Sequence, residues 1–260
     1  MNSLEDCYIW VIGASSGIGA ALAMELSQRG ARVILSARRQ KDLEAVKEGL
    51  AGTEHMVYPL DVREINQIKS VIDDLKEKEV RLSSVIFMPA FYKPHSVGGH
   101  DIDIIDQMIA VNLTGAFNVV HCVKPWLLQQ GYGQIVLCSS IAGYRGLPMG
   151  QPYCATKAGL ISYAESLKIE LEASNLDVKV ISPGFVKSPL TDKNDFPMPF
   201  IIGVDIAAKV IADGLLKRGF EISFPKRMIF VMKVLRLMPN FLYFMVMRYI
   251  FNIISQKRIL

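Results

Sequence analysis

The sequence predicts an α/β fold, a doubly wound parallel sheet of about seven strands with helices on both faces. Three features carry that expectation. Short apolar runs alternate with longer helical stretches across residues 7–224. The runs are mostly continuous in apolar residues, as expected of strands buried on both faces. A glycine-rich turn follows the first run directly.

The elements follow in order. CYIWVIG (7–13) is a strand bounded by Gly13, and GIGAALAMELSQRG (17–30) is a helix closed by Gly30. ARVILSA (31–37) is the second strand, QKDLEAVKEGL (40–50) a helix, and EHMVYPLDV (54–62) a third strand with its exit. REINQIKSVIDDLKEK (63–78) reads as an amphipathic helix and LSSVIFM (82–88) as the fourth strand. A long helical region, 102–130, leads to the strand GQIVLCSS (133–140). Then come a helix over 152–174, a strand over 176–184, a helix over 203–219 and the last strand, FEISF (220–224). No repeat and no linker interrupts the series, so 1–225 is read as a single domain.

Composition narrows the function classes. With 51% hydrophobic and 21% charged residues in 260, the chain can bury a large core and is not disordered. A net charge of +4, dispersed along the chain, gives no footprint for nucleic acid. Cys7, Cys122, Cys138 and Cys154 are scattered without metal-ligand spacing, so no metal is expected and buried free thiols are. The start, MNSLEDC, has two acids and no basic n-region, which argues against a secretory signal. With no disulfide pattern, the expected location is cytoplasmic.

The turn VIGASSGIGAALA sets Gly13, Gly17 and Gly19 between the first strand and the first helix, with Ser15, Ser16 and Ile18 among them. Glycines let a backbone approach a pyrophosphate, and the helix behind offers free N–H groups and its positive dipole end. The second strand ends in LSARRQK, where an acid would bind a ribose 2′-hydroxyl and an arginine accommodates a 2′-phosphate. Arg38 and Arg39 therefore point to NADP(H), with a merely solvated helix start as the alternative. Asp61 and Val62, in PLDV, are candidates for the adenine side; Asp61 reads equally well as the N-cap of the helix over 63–78.

In GQPYCATKAG, Tyr153 and Lys157 lie four residues apart on one helix face behind Pro152. A nearby ammonium favours phenolate and lowers a tyrosine pKa. Ser140 stands upstream in IVLCSSIAG, Asn112 in VNLTG, and Pro183 and Gly184 in ISPGFVKSPL. An asparagine among apolar helix residues is costly to bury without partners.

These motifs, in this order over about 7–224, resemble the short-chain dehydrogenase/reductase family, whose fold is Rossmann-like. The resemblance implies that Tyr153 is the general acid–base and that Lys157 lowers its pKa and binds the nicotinamide ribose. It implies that Ser140 orients the substrate oxygen and that Asn112 holds a backbone distortion and a water that connects Lys157 to solvent. Gly184, Val186 and Ser188 resemble the segment that contacts the carboxamide, and Ala90 matches the loop after the fourth strand. The implied activity is hydride transfer between NADP(H) and a carbonyl or secondary alcohol, in a homodimer or homotetramer. The apolar stretch after Ser188, with Phe196, Met198 and Phe200, matches the family's substrate lid and implies an apolar substrate. A packed loop is its alternative; Pro189, Pro197 and Pro199 argue against a regular helix there.

The family pattern NNAG is replaced here by Met88, Pro89, Ala90 and Phe91. Pro89 removes a backbone donor and Phe91 replaces a glycine, which puts the cofactor contacts of this loop in question. That departure alone favours the rival reading, a catalytically silent NADP(H)-binding sensor or assembly protein. Residues 226–260 carry Lys226, Arg227, Lys233, Arg236, Arg248, Lys257 and Arg258 among apolar residues, and no acid. Pro239 divides them into stretches too short to span a bilayer. This extension is expected on the domain, on a partner subunit or on a membrane surface.

Overall fold

A computed structural model of the protein describes residues 3–93, 101–194 and 196–256. Seven parallel strands make one sheet: β1 (Tyr8–Ile12), β2 (Arg32–Ser36), β3 (Met56–Val57), β4 (Leu82–Phe87), β5 (Gly133–Cys138), β6 (Leu176–Pro183) and β7 (Glu221–Phe224). Their order is β3-β2-β1-β4-β5-β6-β7. The chain moves outward from β1 through β2 to β3, then crosses back to start the other half at β4. The carboxyl ends of β1 and β4 thus flank the switch point, where such sheets open a crevice.

Alternation along each strand supplies two cores. On β1, Trp10 and Ile12 face a layer built from α3 (Ile65–Glu77), α5 (Gly115–Gln130) and α6 (Gln151–Glu170). Ile9 and Val11 face the other layer, from α1 (Gly17–Gln28), α2 (Gln40–Glu48) and α7 (Val204–Leu216). Both faces are dry, which is why the strands read as unbroken apolar runs.

Most expected elements form within a residue or two of their predicted ends; the helices expected over 152–174 and 203–219 stop early, at Glu170 and Leu216, and two regions differ more. The third strand pairs only at Met56 and Val57. Tyr58 and Leu60 still donate to the carbonyls of Leu35 and Ala37, but this edge turns toward α3, where the Tyr58 hydroxyl bonds the Asp74 carboxylate. The region 102–130 is helical throughout yet not uniform. It comprises α4 (Ile102–Ile109), a π-helical turn at 110–114, and α5. Asp101 caps its start by accepting from the amides of Asp103 and Ile104, and Gly131 ends it in the left-handed region at φ 83°.

Behind β7 the extension folds as α8 (Lys226–Leu237) and α9 (Asn240–Gln256), divided at Pro239. Ile229 and Met232 of α8 join the same core as α3, α5 and α6. Lys257 and Arg258 lie outside the described residues.

One close approach positions the later site. The 3-10 turn Ile141–Gly143 presses on α6, and a Cβ on Gly143 would sit 2.7 Å from the carbonyl carbon and oxygen of Lys157. Gly143→Ala is therefore expected to cost about 1–3 kcal/mol, measured as a lower urea midpoint with an unchanged slope.

Candidate active site

The crevice at the switch point is a cleft of about 370 Å³. Its floor is the glycine turn. Gly13 has φ 90° and Gly17 φ 58°, and a Cβ on Gly13 would stand 2.8 Å from the Pro89 nitrogen. A Cβ on Gly19 would lie 2.2 Å from the Gly13 carbonyl oxygen. Side chains are thus excluded from both positions by close backbone packing. The N-cap Ser16 makes no side-chain hydrogen bond to the first turn of α1. That leaves the amides at the helix start facing the cleft, a cradle that fits a pyrophosphate.

All the residues expected to hold a cofactor line this cleft. Gly13, Ser15, Ser16, Gly17, Ile18 and Gly19 form the floor; Arg38, Arg39, Asp61 and Val62 form the wall below β2 and β3. Ala90 follows β4, and Pro183, Gly184, Val186 and Ser188 follow β6 on the opposite side. Ser140, Tyr153 and Lys157 stand between them.

The polar partners on the first wall are now defined. Arg39 pairs with Asp42, its side chain mostly exposed. Asp61 is not the cap of α3, whose N-cap is Glu64. It instead forms a bidentate pair with Arg63, 2.6 Å at its shortest, and accepts from the Arg63 amide. Arg63, and more weakly Arg38, hold the Asp61 carboxyl below its ordinary range, so it is anionic at neutral pH. Arg38 is exposed on the same wall.

Asn112 occupies the π-helical turn and is wholly buried. Its Oδ1 accepts from the Phe91 amide at 2.6 Å, and its Nδ2 donates to the Phe91 carbonyl at 2.9 Å. A longer contact, 3.4 Å, reaches the Thr156 hydroxyl, which donates to the Tyr153 carbonyl at 2.8 Å. Within the departing segment Met88–Phe91, Asn112 grips the backbone of residue 91, so a phenylalanine side chain leaves that grip intact.

Lys157 is 1% exposed, and its ammonium donates to the Cys138 carbonyl at 2.8 Å. Its nitrogen lies 5.6 Å from the centre of the Tyr153 ring. Burial lowers the Lys157 pKa. Burial also drives the Tyr153 phenol well above its ordinary value, against the opposing effect of a hydrogen bond with Ser140. The expected lowering of Tyr153 by Lys157 is not found: desolvation raises the phenol, Ser140 opposes it, and the ammonium's direct bond is to a main-chain carbonyl. Ser140 accepts from the Ala142 amide at 3.1 Å and donates only distantly, at 3.4 Å, to the Pro183 carbonyl.

Several neighbours were not anticipated. The Tyr92 ring meets Tyr153 edge-on at 5.1 Å, and Lys193 donates to the Tyr92 carbonyl at 3.1 Å, joining the loops after β4 and β6. The Ser139 hydroxyl donates to the Lys157 carbonyl at 2.6 Å. The doublet at Ser139–Ser140, just past the end of β5, was the available signal. Nothing local marks Tyr92. Beyond Ser188 there is a 3-10 turn at Thr191–Lys193 rather than an α-helix, and Phe196 packs against Phe185 at 6.0 Å.

Comparison with known proteins agrees with this architecture. The profile of the family described as short chain dehydrogenase matches residues 8–197. An uncharacterized oxidoreductase of Myxococcus xanthus is 31% identical over 236 residues, 88% of this chain and 92% of the relative. The 3-oxoacyl-(acyl-carrier-protein) reductase FabG of Thermotoga maritima is 33% identical over 193 residues, 73% of this chain and 78% of the relative. A Burkholderia cenocepacia short chain dehydrogenase solved with NADP superposes with a TM-score of 0.80 at 22% identity, covering 90% of this chain and 94% of that one. A Burkholderia phymatum relative solved with NAD gives 0.82 at 19% identity, with the same coverage.

The phenol shift has a definite sign. A raised pKa keeps Tyr153 protonated through neutral pH and beyond the ordinary tyrosine value near ~10. Spectrophotometric titration of the wild type against Tyr153→Phe is expected to show no phenolate from this residue until the pH passes that value.

Proposed function

The chain belongs to the short-chain dehydrogenase/reductase family, and we propose that it is an NADP(H)-dependent oxidoreductase acting on an apolar carbonyl compound or the matching secondary alcohol. The observation that carries this reading is the meeting of Ser140, Tyr153 and Lys157 in the cleft that the glycine turn floors. The bound nicotinamide supplies or accepts the hydride at the carbonyl carbon.

The chain's own groups do the rest. Tyr153, protonated at neutral pH, gives its proton to the carbonyl oxygen as the alcohol forms. The negative charge left on its oxygen is then stabilised by the buried ammonium of Lys157, in surroundings of low dielectric. Ser140 has its acceptor side engaged by the Ala142 amide, and its hydrogen is shared between the Pro183 carbonyl, 3.4 Å away, and the Tyr153 phenol. It can turn that hydrogen to the substrate oxygen and hold it beside Tyr153. In the reverse direction the same phenolate takes the proton from the alcohol.

Arg38 supports NADP(H), because an exposed guanidinium on the adenosine wall suits a 2′-phosphate, while Arg39 is engaged by Asp42. Asp61, held by Arg63, faces the adenine side. Tyr92, edge-on to Tyr153, lends the substrate side an apolar character, and the 3-oxoacyl substrate named for the Thermotoga relative belongs to the same chemical class.

The test is steady-state turnover of ketones and aldehydes with NADPH and NADH side by side. Binding of NADPH with no turnover across the panel would overturn the proposal. Tyr153→Phe is expected to abolish turnover while NADPH binding persists. Arg38→Ala is expected to raise KM for NADPH roughly tenfold or more and to leave NADH nearly unchanged.

A further inference from the structure

We propose that the consecutive helices α8 and α9 dock this protein on the surface of an anionic lipid bilayer, their exposed apolar stripes entering the interface and Arg227 and Arg248 meeting lipid phosphates. This stands apart from the reaction assigned above.

The helix pair is buried by one side only. Ile229 and Met232 of α8, and Tyr243 and Met247 of α9, point inward. The opposite side should be polar if it met only water. On α8 it carries Phe230, Val231, Val234 and Leu237, at i, i+1, i+4 and i+7, with Phe230 72% and Leu237 85% exposed. On α9 it carries Phe241, Phe244 and Met245, with Phe241 73% exposed. Each stripe has one arginine in line with it. Arg227 precedes Phe230 by three positions, and Arg248 follows Phe244 by four, so both are on the apolar face. Long cationic side chains among aromatic and aliphatic ones are how an interfacial helix reaches phosphates while its body sits in hydrocarbon.

Charge selects the occupant. Residues 226–260 contain seven cations and no acid. A second copy of the chain on this face would set like charges against each other with no carboxylate from the segment to answer them. An anionic surface answers those that stand on the apolar faces, Arg227 and Arg248. Depth is limited as well: no described helix is long and apolar enough to cross a membrane. The pair therefore lies on the surface.

It is also held firmly enough to orient the domain. The Arg145 guanidinium donates to the carbonyls of Leu235 and Met238, at 2.7 and 2.5 Å, and to the Asn240 side chain at 2.5 Å. It stacks over the Tyr243 ring at 3.9 Å. Both helices are thus tied to the segment that follows Ser140.

Flotation of the full chain with vesicles tests the proposal. Binding is expected on phosphatidylcholine vesicles that contain phosphatidylserine, with roughly tenfold less on phosphatidylcholine alone. Arg227→Glu with Arg248→Glu, and separately Phe241→Ser with Phe244→Ser, are expected to lower binding roughly tenfold each, with the thermal melt unchanged. A salt series on the unsubstituted chain reads the charge contribution without any mutation, and binding should fall as salt rises. Absence of flotation, equal binding to neutral vesicles, or indifference to salt would overturn the proposal. So would a dimer, seen by sedimentation, that the two serines dissociate in a protein that ignores vesicles.

Discussion

The buried amide of Asn112 joins segments that lie far apart in the chain. It accepts and donates at Phe91, behind β4, and touches Thr156 on α6, one turn from Tyr153 and next to Lys157. A side-chain amide with no water around it must find partners, because leaving its dipoles unpaired would cost several kcal/mol. The π-helical turn is the local distortion that brings the amide to those partners. The cleft walls and the tyrosine helix are thereby held in one arrangement. The loop after β4 depends on the same contact, since its backbone, unpaired by any strand at Phe91, is satisfied there.

Burial then sets the chemistry. Tyr153 and Lys157 stand beside one cleft, and desolvation pushes them in opposite senses, the phenol toward holding its proton and the ammonium toward losing it. The phenolate therefore forms only when a substrate oxygen takes the proton, and it forms beside the ammonium of Lys157. The main-chain carbonyl of Cys138 compensates part of the cost of keeping Lys157 charged, by accepting its hydrogen bond. The carbonyl of Lys157 itself is held by Ser139, so the strand end and the helix fix each other.

The helix pair at the end of the chain extends this frame outward. Glu221 on β7 receives the Tyr144 hydroxyl and the Lys233 ammonium, and Arg145 collects the carbonyls where α8 ends. Tyr144 and Arg145 follow the 3-10 turn that starts at Ser140. A surface that met α8 and α9 would thus be connected through a few short polar contacts to the wall of the cleft. α8 buries Ile229 and Met232 in the main core, which makes it part of the domain's packing as well as its exterior.

The sheet and the motif order were legible in the sequence, because strand burial and helical spacing are local patterns. Unbroken apolar runs marked the strands, the glycines marked positions where backbones must nearly touch, and Asn112, Ser140, Tyr153 and Lys157 carried the family resemblance. The short β3 was less legible, because how long an edge strand stays paired depends on a neighbour it meets only in space. Only the tertiary structure decided which charges are already engaged: Arg39 by Asp42, Asp61 by Arg63, and Lys157 by a carbonyl rather than by the phenol. It also decided the direction of the Tyr153 shift, because desolvation depends on everything packed around the ring. The sequence by itself determined that the final segment is apolar and basic; the fold determined which half of it is buried and which half faces outward, because that follows from where Arg145 and the core grip the two helices.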